Sequence, residues 1–220
     1  MTRVRKTKTQ QQQPAPGLAQ IRRALGRRTV TVAPLEGERK RASVALILAG
    51  APEALHLCFI RRAEHPRDPW SGHMAFPGGR ADPTDPHAQA VAERETREEV
   101  GLRLPPGRLI APLAELPVRL GQRDTGMTLS SFVYYLGPRR APLRPNSEVA
   151  GAYWVPLTHL WDAAHATHLK LRRDGESMLF AAIRFQDTVI WGLTLRVLTM
   201  FSDDLEHPLP HLEDIPGMVR

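Results

Sequence analysis

One cysteine, Cys58, stands in 220 residues, so an intramolecular disulfide is excluded and a reducing compartment is expected. Cys58 lies inside the apolar run 55–60 with no activating motif around it. It reads as a buried, inert thiol rather than a nucleophile. No stretch approaches the roughly 18 uninterrupted apolar residues that a membrane span needs. No apolar segment follows the basic start in the manner of a secretory signal. There is no internal repeat. His165 and His168 are three apart without any further ligand spacing, which points to surface histidines rather than a zinc site.

Acid is missing from the first 28 residues, which hold Arg3, Arg5, Lys6, Lys8, Arg22, Arg23, Arg27 and Arg28. The formal charge of +7 therefore belongs to this extension, because the remaining 22 basic and 23 acidic residues leave −1. A basic extension can touch nucleic acid or anionic lipid. Its polar composition, with Gln10 to Gln13 followed by Pro14 and Pro16, instead predicts a solvated segment over 1–16. Leu18, Ile21 and Leu25 have helical spacing, so a short helix is expected within 17–27. The cytoplasm is the expected location, and an organelle transit peptide is the alternative for so Arg-rich a start. Domain organisation reads as a basic, flexible extension over 1–28, one domain over 29–206 and an irregular tail over 207–220.

What is present organises the rest. Residues 42–48 form a compact apolar run and predict a buried strand, with 55–60 as its partner across the turn at 49–53. A loop rich in His, Pro, Arg and Trp follows over 63–75, then Phe76-Pro77-Gly78-Gly79. A helix is predicted over 86–100, with Asp85 as its cap, Pro86 in its first position and Gly101 just past its end. Strands are expected over 130–136, 153–156 and 179–185, and a short helix over 157–164. The apolar spacing of Ile190, Leu193, Val197, Leu198 and Phe201 predicts a core-facing helix over 189–201, with Trp191 packed in the core. Interleaved strands and helices of this kind argue for an α/β domain with a mixed sheet between helices.

Chemistry concentrates in Arg94-Glu95-Thr96-Arg97-Glu98-Glu99-Val100-Gly101-Leu102. Glu95, Glu98 and Glu99 stand at i, i+3 and i+4 and share one helical face. Carboxylates crowded this way repel one another, and a hard divalent cation with a preference for oxygen ligands removes the repulsion. An upstream Gly-Gly turn without side chains lets the backbone approach a metal or a phosphate closely.

Gly79, five residues, Asp85, eight residues and then Arg-Glu-x-x-Glu-Glu-x-Gly-Leu resembles the Nudix box. The generic pattern has seven residues before the arginine, and an aliphatic where Thr96 stands. The resemblance implies a Nudix-type α/β/α sandwich and hydrolysis of a diphosphate linkage within a nucleotide derivative. It also implies Mg²⁺ or Mn²⁺ on the Gly78 carbonyl, Glu95 and Glu99, with Glu98 as a further ligand or an aid in activating water. Arg94 would orient the glutamates by ion pairing.

Arg62-Ala63-x-x-x-Arg67, then Gly72-x-x-x-Phe76-Pro77-Gly78-Gly79, is similar to an extra signature of the coenzyme A diphosphatase branch, as is Ile190-Trp191-Gly192-Leu193-Thr194 near the end. Ile60 departs from that signature, which has threonine, and one extra residue separates Arg67 from Gly72. The substrate so implied is coenzyme A or its thioesters, cut to 3′,5′-ADP and 4′-phosphopantetheine derivatives. Arg62 and Arg67 are then candidates for its 3′-phosphate, with Gly79 in the substrate-binding set. Glu148, in a loop after Pro145 and Asn146, is a possible additional acid. Trp70 either stacks on a base or covers the loop. Competing readings are a Nudix enzyme for ADP-ribose, dinucleotides or nucleoside triphosphates, and a non-catalytic nucleotide- or RNA-binding module. The intact glutamates and the absence of an aromatic-interleaved basic surface in the domain weigh against the last. Oligomeric state is open, with a homodimer as one possibility.

Overall fold

The computed structural model describes residues 14–36, 40–65, 70–120, 123–173 and 176–210. The first helix, α1 (Leu18–Leu25), leads into two long strands, β1 (Lys40–Ala51) and β2 (Ala54–Arg62), followed by short β3 (Met74–Ala75) and β4 (Gly78–Arg80). Helix α2 (Ala88–Val100), β5 (Leu109–Leu120), β6 (Arg123–Tyr135) and β7 (Val149–Pro156) follow. A single turn, α3 (Leu157–Leu160), precedes the second sheet, β8 (Ala166–Arg173), β9 (Glu176–Phe185) and β10 (Thr188–Trp191), and α4 (Gly192–Asp204) ends the regular structure.

The larger sheet is mixed. Its path runs β3-β2-β1-β6-β5, with β4 also on β1 and β7 also on β2. β1 lies antiparallel to β2 and β4 but parallel to β6, with Ala45 opposite Phe132. The expected turn at 49–53 joins β1 and β2 through the pair Ala51 and Ala54. Covering both faces explains why β1 reads as an unbroken apolar run rather than an alternating one. Ala45 and Ile47 join one core with Ala88, Ala92 and Val100 of α2, while Leu46 and Leu48 join the other with α1 and α4. Cys58 and Phe59 divide between the same two cores, and Cys58 is buried as expected, which pushes its thiol up. The α/β/α layering follows.

Four expectations need correction. The helix predicted from 86 starts at Ala88, and His87, not Asp85, caps it by accepting the Ala90 N–H on Nδ1 at 3.1 Å. Asp85 is drawn off by a guanidinium, as described below. The helix predicted over 189–201 begins only at Gly192, whose φ of +59° breaks the chain direction. Before it, Ile190 pairs with Ile183 in the second sheet. Trp191 is therefore a strand residue, half-buried, with its ring edge-on to His73 at 4.8 Å between centroids, and not part of a helix core.

Part of the basic segment before residue 29 packs on the rest of the chain. Leu18, Ile21 and Leu25 are buried, Leu18 donates its N–H to Pro52 O at 2.8 Å, and Arg28 pairs with Asp204 at 2.6 Å. At the other end Leu209 is buried, and His207 O accepts from Trp161 Nε1 at 3.1 Å. Residues 207–210 thus pack on the domain. The segments 1–13 and 211–220 lie outside the described residues.

Candidate active site

Helix α2 packs against β1 and β4, and Gly78 and Gly79, expected in a turn, stand instead in β4 beside the helix glutamates. Gly78 pairs with Val44 and has φ +151°, a region close to glycine-only. A Cβ there would run into Ser43 O and the Val44 backbone. At Gly79 a Cβ would meet the Glu95 carboxylate, so the missing side chain is what lets that carboxylate lie against β4.

Glu99 is 3% exposed, and its Oε2 accepts the Gly78 N–H at 2.8 Å. Burial is the main force pushing its carboxyl up to about 8. The Gly78 hydrogen bond and the Arg62 charge oppose that rise, and the charges of Glu95 and Glu148 add to it. Glu95 is also raised, again chiefly by burial, with Arg94 opposing. Two neighbouring carboxyls that both resist ionisation mark a place short of positive charge.

Arg94 holds the other acids. Its Nε and Nη2 grip Asp85 at 3.0 and 2.9 Å, and Nη1 donates to Glu95 at 3.0 Å and to Glu98 at 3.1 Å. Nη2 also donates to Arg80 O at 3.1 Å. The two-point grip holds the Asp85 carboxyl below the usual range. One guanidinium thus ties the loop after β4 to two turns of α2. Thr96 is fully buried, in the position where the family pattern has an aliphatic.

Gly78, Gly79, Arg94, Glu95, Glu98 and Glu99 therefore come together. Arg62 and Glu148 join them through charge, both being felt at Glu99. The Glu148 side chain is exposed, and its carbonyl accepts the Ala63 N–H at 2.8 Å, which anchors the loop beside the end of β2. Arg67 lies outside the described residues. Reading residues alone missed the Gly78 N–H as the group that holds Glu99, because a backbone donor leaves no mark in side-chain identity. Among the described residues no three Asp, Glu, His or Cys side chains stand as a ready-made metal cage. The available donors are hard oxygens, and their charge shortage suits a hard divalent cation.

A family model described as NUDIX domain matches residues 39–174. The chain belongs to the Nudix family. The Nudix match includes β1, α2 and the whole larger sheet, and leaves α1 and α4 outside it. Two relatives, from Yersinia pestis (strain Pestoides F) and Yersinia pseudotuberculosis serotype O:1b (strain IP 31758), are each 31% identical over 160 residues, 72% of this chain and 76% of theirs. Both carry the name uncharacterized Nudix hydrolase NudL. A crystal structure of a MutT/nudix family protein from Enterococcus faecalis superposes with a TM-score of 0.55 at 16% identity, over 80% of this chain and 65% of that one. At that identity it supports the Nudix fold alone.

Proposed function

We propose that the protein uses Mg²⁺ or Mn²⁺ to hydrolyse the diphosphate linkage of coenzyme A or its thioesters, giving 3′,5′-ADP and a 4′-phosphopantetheine derivative. The observation that carries the reading is the buried Glu99 carboxyl, raised to about 8 beside Glu95 and under the charge of Glu148. Burying acids together is costly unless a cation completes the site. Glu95, Glu98, Glu99 and the Gly78 carbonyl would hold the metal. When bound, such an ion neutralises phosphate charge and lowers the pKa of a bound water for in-line attack on phosphorus.

The chain's own residues supply the rest. Gly78 N–H and Arg94 set the carboxylate positions before substrate arrives, so no side chain must be ordered during turnover. A carboxylate of the helix, or Glu148, takes the proton of the attacking water. Arg62, close enough for Glu99 to feel its charge, faces the phosphates. The coenzyme A assignment is supported by the resemblance in two sequence segments, and by the contact between those segments in the fold. Thr194 Oγ1 donates to Met74 O at 2.9 Å, and Trp191 meets His73. The single buried cysteine accords with action in the reducing cytoplasm.

The test is product analysis. Purified protein with Mg²⁺ or Mn²⁺ is given coenzyme A, ADP-ribose, NADH and nucleoside triphosphates, and products are separated by ion exchange. Selective release of 3′,5′-ADP is expected. Cleavage of another nucleotide in its place would overturn the coenzyme A reading and keep the reaction class.

A further inference from the structure

A second feature lies past the C-terminal end of α2. A cavity of about 480 Å³ opens there, lined by Arg103, Arg108 and Arg144 with Leu102, Pro105 and Leu136 as apolar walls. Its volume falls within the roughly 300–1,000 Å³ of small-molecule sites. None of its lining residues belongs to the glutamate cluster.

The cavity is strongly cationic. It is built from two stretches without any Asp or Glu, 100–114 and 125–147, and Arg139 and Arg140 stand in the second. Among the described residues the guanidinium groups of Arg103, Arg108 and Arg144 have no ion pair or hydrogen bond. The ordinary reason for arginines at a helix C-terminus is to satisfy its last carbonyls. Here backbone amides reach three of the last four. Gly101 N–H donates to Arg97 O at 3.1 Å, Arg144 N–H to Val100 O at 2.9 Å and Asn146 N–H to Glu99 O at 3.0 Å. The Arg144 stem packs over Gly101, which aims that side chain along the rim of the cavity.

We infer that this cavity binds a phosphorylated small molecule of nucleotide size, at a site separate from the glutamate cluster. Three guanidinium forks suit a dianionic phosphate or a diphosphate. The leucine and proline walls suit the flat, apolar face of a base. The inference stands independently of the proposed reaction.

Calorimetric titration of the full chain tests it, in EDTA so that no divalent cation engages the glutamates. The probes are ADP, inorganic pyrophosphate and an oligouridylate. Saturable binding of ADP is expected, weakened about tenfold or more in the Arg103→Ala/Arg108→Ala double variant, since charge-assisted hydrogen bonds are being removed. The variant leaves Arg144 on Gly101 and should keep the parent circular dichroism; if it does not fold, Arg103→Gln and Arg108→Gln singly serve the same comparison. ADP affinity should be unchanged in Glu99→Gln. Pyrophosphate is expected to bind more weakly than ADP, and equal affinity would overturn the nucleotide-size assignment. The inference is overturned by no saturable binding, by full affinity in the arginine variants, by loss of binding in Glu99→Gln, or by an arginine-dependent preference for the oligouridylate.

Discussion

Glu99 Oε2 accepts the Gly78 N–H at 2.8 Å, joining the end of α2 to a strand glycine 21 residues earlier. This bond lies in a buried setting, where a hydrogen bond is electrostatically stronger than at the surface. It couples two features that look separate in sequence, the Gly-Gly pair and the glutamate face. Gly78 must be glycine for its own geometry, and the amide it presents then fixes the least exposed of the three helix acids.

Gly79→Ala tests the closeness of that packing. The added Cβ would collide with the Glu95 carboxylate, the far end of a flexible side chain, so the fold should survive while Glu95 is displaced. Turnover is expected to fall by about 10-fold or more, as for lost positioning around a metal. The thermal midpoint should move by only a few degrees. Unchanged kcat and KM would show that the contact has no bearing on activity.

Metal binding should depend on pH in a definite direction. Glu99 is raised to about 8, above its unfolded carboxylate value, so the metal-free folded state holds the extra proton between about 4.5 and 8. Metal-free stability from this group is therefore fully present at the acid end of that window and is lost as pH rises through it. A divalent cation needs the ionised carboxylate, so its stabilisation should grow over the same window. Asp85, held low by Arg94, acts oppositely, and its contribution is lost only as pH falls below the usual carboxylate range. Thermal melts with EDTA and with Mg²⁺ at several pH values check this. A metal increment that is flat from pH 5 to 8 would contradict it.

Ile21→Ala asks whether α1 is part of the domain. Ile21 is fully buried, and truncating a core isoleucine costs about 2–5 kcal/mol. Urea unfolding should show a loss of that size. A change below about 0.5 kcal/mol, the usual range for surface substitutions, would mean that the helix is only loosely attached.

Much of this was legible beforehand where a local period or a fixed spacing carried the signal. The β1–β2 pair, α2 with Gly101 at its end, and the shared face of Glu95, Glu98 and Glu99 all follow from residues a few places apart. What was missed depends on distant partners. β5 has no clean alternation, since Pro112 and Pro117 interrupt it and its ladder with β6 shifts register three times. β8 is recognisable only once β9 is there to pair with it. Asp85 looked like a cap because capping is local, and Arg94 outcompetes the helix end for it from nine residues away. Leu18, Ile21 and Leu25 gave the expected helix by their spacing, but nothing local shows that its apolar stripe is buried on the domain while Arg22 and Arg23 stay in solvent.

Glu99→Gln asks whether the Glu99 carboxylate serves a metal-dependent hydrolysis. Glu99→Gln keeps the shape and can still accept the Gly78 N–H, but removes the charge. The measurement is steady-state turnover of coenzyme A with Mg²⁺ or Mn²⁺, alongside circular dichroism. Even outer-shell partners of metal sites cost about 10–100-fold, so loss of a ligand should lower kcat by about 100-fold or more in a protein that remains folded. Turnover within about tenfold of the parent would contradict the account, because it would leave the buried glutamate without a part in the reaction.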